Sequence, residues 1–232
     1  MLFRSSIARI FLTHLRNTMS TESEATLLAH LAEALGDTQM AVRIAKIAVA
    51  RGMNLIVYGY PVHPMPSYKP LRKAPESAML LSIARQESEF NPQTKSGAGA
   101  RGLLQVMPIT ARHVCKDYRI RCDIDRLMSD TSYNAMLASA YIGDRMEEFT
   151  GSYVLTLAGY NAGPARARQW IREFGDPRDP AVDPVEWIHR IPFEETREYV
   201  QKVLSNIQIY RARLGEGEKA LQIRADLRRG AR

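Results

Sequence analysis

Residues 76–108 read ESAMLLSIARQESEFNPQTKSGAGARGLLQVMP, and the character of the fold follows from how this stretch divides. Its first half has helical period. Leu80, Ile83 and Ala84 share one apolar face, and Glu87, three and four residues beyond Ala84 and Ile83, projects from that same face. The spacing predicts a helix over 76–90, with Glu89 pointing elsewhere. A carboxylate on an apolar face is costly to ionise. Desolvation raises its pKa and makes it a usable general acid near neutral pH. Two bland readings of Glu87 stay open at this point: a side chain that snorkels to water, or one that pairs with Arg85. The second half is a loop, Ser96 to Gly102, with Gly97, Gly99 and Gly102 close together. Glycine there permits positive φ and a close approach of backbone to a ligand. Gln105 follows with an amide donor and acceptor, and Met107-Pro108 opens the next helix.

Downstream, helices are predicted over about 132–150, 153–160 and 193–214. A loop rich in Pro and Asp follows Gly175, and a polar tail that frays starts at Gly215. Upstream, residues 1–58 read as helices without evident chemistry. Thr21 or Ser23 caps a helix carrying Ala25, Leu27, Leu28, Leu31, Ala34 and Leu35, and Thr38 opens another with Ala41, Ile44, Ala45, Ala48 and Val49 on one stripe. Such a helix pair has the shape of a solenoid edge, too short to stand alone. The five prolines of residues 59–75 point to an extended linker. No segment has a strong strand signal. The expected class is mainly α, divided as 1–58 helical appendage, 59–75 linker, 76–214 catalytic unit and 215–232 tail.

Four ordered blocks narrow this further. They are E-S-x-F-N-P with S-x-x-G-A-x-G-L-x-Q-x-M-P over 87–108, Asn134 ahead of Ala138 and Tyr141, Gly159-Tyr160-Asn161-Ala162-Gly163-Pro164, and Ile191-Pro192-Phe193-Glu194-Glu195-Thr196-Arg197-Glu198-Tyr199-Val200. Together they resemble the catalytic domain of soluble lytic transglycosylases, which is similar to goose-type lysozyme. The helix pair and its Gly-Tyr-Pro junction resemble the end of that family's helical superhelix, so the chain reads as a short or truncated member. It departs from the family pattern at Arg101, where some members have Ser, and at Gly159, where Ala usually precedes Tyr-Asn.

The resemblance implies a lysozyme-like fold in which Glu87 alone serves as acid and then base. It implies cleavage of the β-1,4 bond between N-acetylmuramic acid and N-acetylglucosamine in peptidoglycan, leaving 1,6-anhydro ends. Ordinary glycosidases use two carboxylates. A muramidase that hydrolyses the same bond, or a non-catalytic wall-binding protein on the same fold, are the competing readings. The substrate-binding residues implied are Ser96, Gly102, Gln105, Met107, Tyr160, Asn161 and Glu195. Several carry alternatives: Asn161 and Gly163 as turn formers, Met107 as core filler, Glu195 paired with Arg197 or capping its helix, and Tyr199 as core. His113 and His189 read as structural or surface residues. No metal cluster and no cofactor motif is present in the sequence.

Composition sets the outer bounds. Hydrophobic residues make up 45% of the 232 and charged residues 25%, enough for a core and too ordered in pattern for wholesale disorder. The net charge of +7 suits a polyanionic partner such as an acidic wall polymer. Without a basic stripe interleaved with aromatics, nucleic acid is not expected. Cys115 and Cys122 fit no zinc or C-x-x-C spacing, and a disulfide or two free thiols are equally open. Met1 to Leu15 is apolar with Arg4 and Arg9, but His14 interrupts it and no cleavage site follows, so an amphipathic helix is expected rather than a signal peptide. The periplasm or cell envelope is inferred from the substrate, with peripheral association at the envelope compatible and the oligomeric state open.

Overall fold

The structure, a computed structural model, describes residues 2–63, 65–215 and 221–230. Among these residues the chain forms helices and no strand, with only isolated antiparallel bridges of Arg101 to Lys95 and to Val106. The mainly-α expectation holds.

Three helices come first: α1 (Leu2–Thr18), α2 (Glu22–Ala34) and α3 (Thr38–Ala50). Thr21 caps α2 through a reciprocal pair. Its Oγ1 accepts from Glu24 N at 3.2 Å, and the Glu24 carboxylate accepts from Thr21 N at 3.1 Å. Asp37, rather than Thr38, caps α3 by accepting from Met40 N at 3.0 Å. The packing corrects the sequence reading of α2. Its buried residues are Ala25, Ala29 and Ala32, set against Met40, Ala41, Ile44, Ala45 and Ala48 of α3, while Leu27, Leu31 and Leu35 face outward. α2 carries two apolar stripes, and the alanine one lets the backbones approach closely. Val49 is likewise exposed.

α4 (Ile56–Gly59) precedes the proline-rich stretch. That stretch is irregular, as its prolines require, yet it is no free tether. Tyr60, Val62, Met65, Tyr68 and Leu71 pack on the main core, and Arg72 donates to Asp144 at 2.5 Å and Glu147 at 2.7 Å.

The main core is built around α5 (Ser77–Glu87), whose residues from Ala78 to Ala84 are all buried. α12 (Glu194–Arg213) packs along α5 and against α9 (Tyr153–Ala162). Around them lie α6 (Pro108–Asp117), α7 (Arg126–Ser129), α8 (Thr131–Glu148), α10 (Pro164–Phe174) and α11 (Pro184–His189). The last two lie where the sequence predicts no helix, α11 within the loop rich in Pro and Asp that follows Gly175. Each begins with proline at its first position, a favoured helix start, and Asp183 caps α11. Gly159 is fixed by packing, because a Cβ there would lie 2.9 Å from the Phe149 ring.

The expectation of a frayed tail is also corrected for residues 221–230. α13 (Ile223–Leu227) docks through Asp226, which is fully buried and accepts from Arg211 Nη1 at 2.6 Å and Gln208 Nε2 at 2.7 Å. Arg211 also donates to Glu76 at 2.6 Å, joining the start of α5 to the tail. Residues 216–220 lie outside the described residues.

Polar bonds tie the first three helices to the main core. Glu89 accepts from Arg43 Nε and from Lys46 Nζ, both at 2.6 Å. Burial alone would raise its pKa, but the two cations hold it below the ordinary carboxylate value. Gln39 donates to Ser88 O at 3.2 Å and accepts from Asn91 at 3.1 Å.

Candidate active site

α5 was expected to run to Phe90, but it stops at Glu87 because Glu89 and Phe90 adopt φ of 52° and 66°. This left-handed turn ends the helix at the carboxylate and sends the chain sideways into the glycine loop. Ser88 Oγ locks the junction by donating to Leu103 O at 2.7 Å.

The loop is held by three side chains. Ser96 Oγ accepts from Ala100 N at 3.0 Å. Asn134, fully buried on α8, accepts from Leu104 N at 2.9 Å and donates to Arg101 O at 2.9 Å and Leu127 O at 3.0 Å. Gln105, at φ 48°, donates from Nε2 to both Thr94 O at 2.9 Å and Gly102 O at 2.8 Å. Two carbonyls around one atom make it the nitrogen, so the amide orientation is fixed. Gln105 therefore offers a ligand only its carbonyl oxygen, not the donor and acceptor its sequence position suggested.

The loop, α8, the end of α9 and the start of α12 enclose a groove of about 200 Å³. Glu87, Ser96, Gln105, Met107, Tyr160, Asn161 and Glu195 all line it. Gly102 does not. It is buried at the end of the loop against Leu127 and Asn134, where its role is backbone geometry. Glu195 has neither of the partners considered for it, since Arg197 donates to Ile191 O instead. Tyr160 donates to Leu104 O at 2.6 Å, and Thr196 Oγ1 donates to Asn161 Oδ1 at 2.6 Å, which leaves Nδ2 of Asn161 for the groove. Tyr141, Ala138 and Thr110 complete the lining. Tyr141 tilts against Tyr160 with ring centroids 5.8 Å apart. Arg101 lies off the groove and reaches Asp125 at 3.4 Å. Cys115 is buried and Cys122 exposed, both as free thiols.

Burial pushes the Glu87 pKa up to about 7, and the negative charge of Glu195 adds to the rise. Tyr199 opposes it. Its hydroxyl is buried and has no partner at hydrogen-bond geometry, yet it lies close enough to favour the Glu87 carboxylate. Sequence reasoning placed Tyr199 in the core. It is there, and its hydroxyl also acts on Glu87 from the core side. A signal was available: Glu195 and Tyr199 are four apart on one helix and share a face. Tyr199→Phe is expected to raise the titration midpoint of the Glu87 carboxyl, followed by ¹³C NMR, by roughly 0.4–1 unit, the equivalent of one hydrogen bond of about 0.5–1.5 kcal/mol. An unchanged midpoint would remove Tyr199 from the site.

Such an arrangement poises one carboxyl to exchange a proton near pH 7 beside hydrogen-bonding groups in a groove, a combination suited to proton transfer on a bound polar ligand. Residues 66–181 match the family described as Transglycosylase SLT domain, half of the chain. The chain belongs to the SLT transglycosylase family. Residues 190–219, which contain α12, match the Soluble lytic transglycosylase helical domain. The SLT chain is 38% identical over 141 residues to the Soluble lytic murein transglycosylase of Salmonella typhimurium, covering 60% of this chain and 21% of that protein. It is 36% identical over 137 residues to the Escherichia coli K12 protein of the same name, covering 59% and 21%. It thus spans about a fifth of these curated relatives. Among solved structures, the 70 kDa soluble lytic transglycosylase of Escherichia coli superposes with a TM-score of 0.76 at 28% identity, over 89% of this chain and 33% of that one. The lytic transglycosylase Slt of Pseudomonas aeruginosa superposes with a TM-score of 0.73 at 32% identity, over 91% and 33%.

Proposed function

We propose that this SLT chain cleaves the β-1,4 bond between N-acetylmuramic acid and N-acetylglucosamine in peptidoglycan, without water, using Glu87 as its only acid and base. The observation that carries the reading is Glu87 at the end of α5, in the groove, with its pKa raised to about 7. A protonated carboxyl donates to the glycosidic oxygen as the bond to C1 breaks. The N-acetyl oxygen of the muramic acid supports the cationic centre, as in substrate-assisted cases. The ionised Glu87 then takes the proton of the C6 hydroxyl, whose oxygen bonds to C1. One proton enters and one leaves, so Glu87 ends as it began. A hydroxyl on the same sugar competes with water through its high effective concentration.

The other lining groups suit glycan binding. Met107 offers an apolar contact, Gln105 an acceptor, Asn161 and Ser96 donors. Ser96, Gln105, Met107, Tyr160, Asn161 and Glu195 are assigned to the substrate beside the catalytic Glu87, while Gly102 shapes the loop. The organisation that suits this role is a catalytic unit over about 76–214, strapped by 59–75 to a helical appendage over 1–58. The substrate places the protein at the cell envelope. No helix among the described residues is long and apolar enough to cross a membrane.

A second reading has one observation in its favour: Glu195 shares the groove, so a two-carboxylate hydrolysis has its second group. Mass spectrometry of digested, purified cell wall separates the two. The expected product carries 1,6-anhydro ends, whereas reducing ends would establish a muramidase.

A further inference from the structure

A second cavity, of about 660 Å³, lies among Lys46 of α3, Tyr60, Arg85 and Gln86 beside the end of α5, and Lys202 and Asn206 of α12. No carboxylate lines it. Lys46 and Lys202 each hold one acid outside the wall, Glu89 and Glu198, both at 2.6 Å. Arg85 holds none. Its Nε donates to Gly59 O at 2.7 Å, its Nη1 to Asn206 Oδ1 at 3.4 Å, and its guanidinium lies 4.0 Å from the Tyr60 ring centroid. Among the described residues the Nη2 edge has no hydrogen-bond partner.

Asn206 is only 4% exposed. Its Oδ1 also accepts from the Tyr60 hydroxyl at 3.1 Å. Arg85 can only donate, so the atom facing it must be the oxygen, which leaves Nδ2 as a buried donor without an acceptor. A half-buried guanidinium lacking a counter-charge, next to an unmatched amide, is a cost to the fold. An anion at the cavity wall that accepts from Arg85 offsets the first of these.

We propose that this cavity binds a carboxylate of the peptide stem carried by the glycan strand. The identity of the ligand rests on the glycan reading of the groove; the anion chemistry does not. Charge calls for an anion, because Arg85 has no acid and Glu89, shared by Arg43 and Lys46, offsets only one of those two cations; the anions carried by the strand of the groove reading are the carboxylates of its peptide stems. Reach agrees as well. Glu195 in the groove and Lys202 and Asn206 in the cavity share α12. At 1.5 Å per residue they are separated by roughly 10–16 Å along its axis. An extended stem of three or four residues spans about the same distance.

Calorimetric titration tests the site without turnover, using full-length Glu87→Gln protein and two ligands, a disaccharide-tetrapeptide and the same disaccharide without peptide. The peptide-bearing ligand is expected to bind about tenfold tighter or more, as one charge-assisted hydrogen-bonded contact provides. Adding Asn206→Asp supplies an internal carboxylate beside Arg85 at almost unchanged volume. It is expected to abolish the preference while leaving the melting temperature unchanged or raised. Lys202→Glu, an exposed change, is expected to weaken the preference in the same direction. Equal affinity for the two ligands, including none for either, overturns the proposal, as does a preference that survives Asn206→Asp in a folded protein. Failure of the groove reading is seen separately, as absence of cleavage by the wild-type protein.

Discussion

Glu87→Gln is expected to lower wall-cleaving activity by at least about a thousandfold, because one group carries both proton transfers and general acid–base catalysis contributes on the order of 10²–10⁴ per role. The same substitution is expected to stabilise the protein at alkaline pH. The Glu87 pKa is raised from 4.5 to about 7 by burial. Between those values the folded chain binds a proton that the unfolded chain has released. Stability therefore falls as pH rises through that window, and the cost is fully developed above it. Gln has no charge to desolvate. The variant should gain roughly 1–3 kcal/mol over wild type at pH 8 and nothing at pH 4. Urea denaturation at pH 4, 6 and 8, with release of soluble fragments from purified wall, measures both effects. Residual activity near wild type would show that another group donates the proton. A pH-independent stability difference would show that the carboxyl is solvated.

Gly102→Ala is expected to cost about 3–5 kcal/mol and to dismantle the loop. Gly102 has φ of 79°, where a side chain is strained by roughly 1–2 kcal/mol. A Cβ there would also lie 2.1 Å from Leu127 O and 2.5 Å from Asn134 Nδ2. Neither neighbour can yield cheaply. The Leu127 carbonyl accepts from Asn134, and Asn134 is the residue that holds Arg101 and Leu104 in the loop. Relieving the clash breaks buried hydrogen bonds worth about 1–3 kcal/mol once left unmatched. Gly97 is the internal control. It has open space around its Cβ position and no positive φ, so Gly97→Ala is expected to change stability by less than about 0.5 kcal/mol. Urea midpoints for the two variants decide the matter. Equal midpoints would mean that Gly102 is replaceable and that the loop is not built on it.

The one-dimensional pattern determined what depends on near neighbours. Helical period placed Glu87 on the apolar face of α5, spacing put Gln105 and Met107 just past a glycine loop, and Thr21 or Ser23 marked a helix start, because each rests on residues within a turn or two of one another. Only the tertiary structure decided matters that depend on what approaches from elsewhere. α2 offers a leucine stripe and an alanine stripe, and contact with α3 chose alanine because small side chains admit a closer backbone. Tyr199 reads only as core until the end of α5 brings Glu87 to its hydroxyl. Asp226 reads as part of a polar tail until Arg211, fifteen residues earlier, provides a buried partner. Gln105 reads as a two-way hydrogen-bonding group until Thr94 and Gly102 take its donors. In each case the side chain's own properties were evident, but its partner was supplied by a distant segment, and burial and charge acquire their energetic meaning only once that partner is in place.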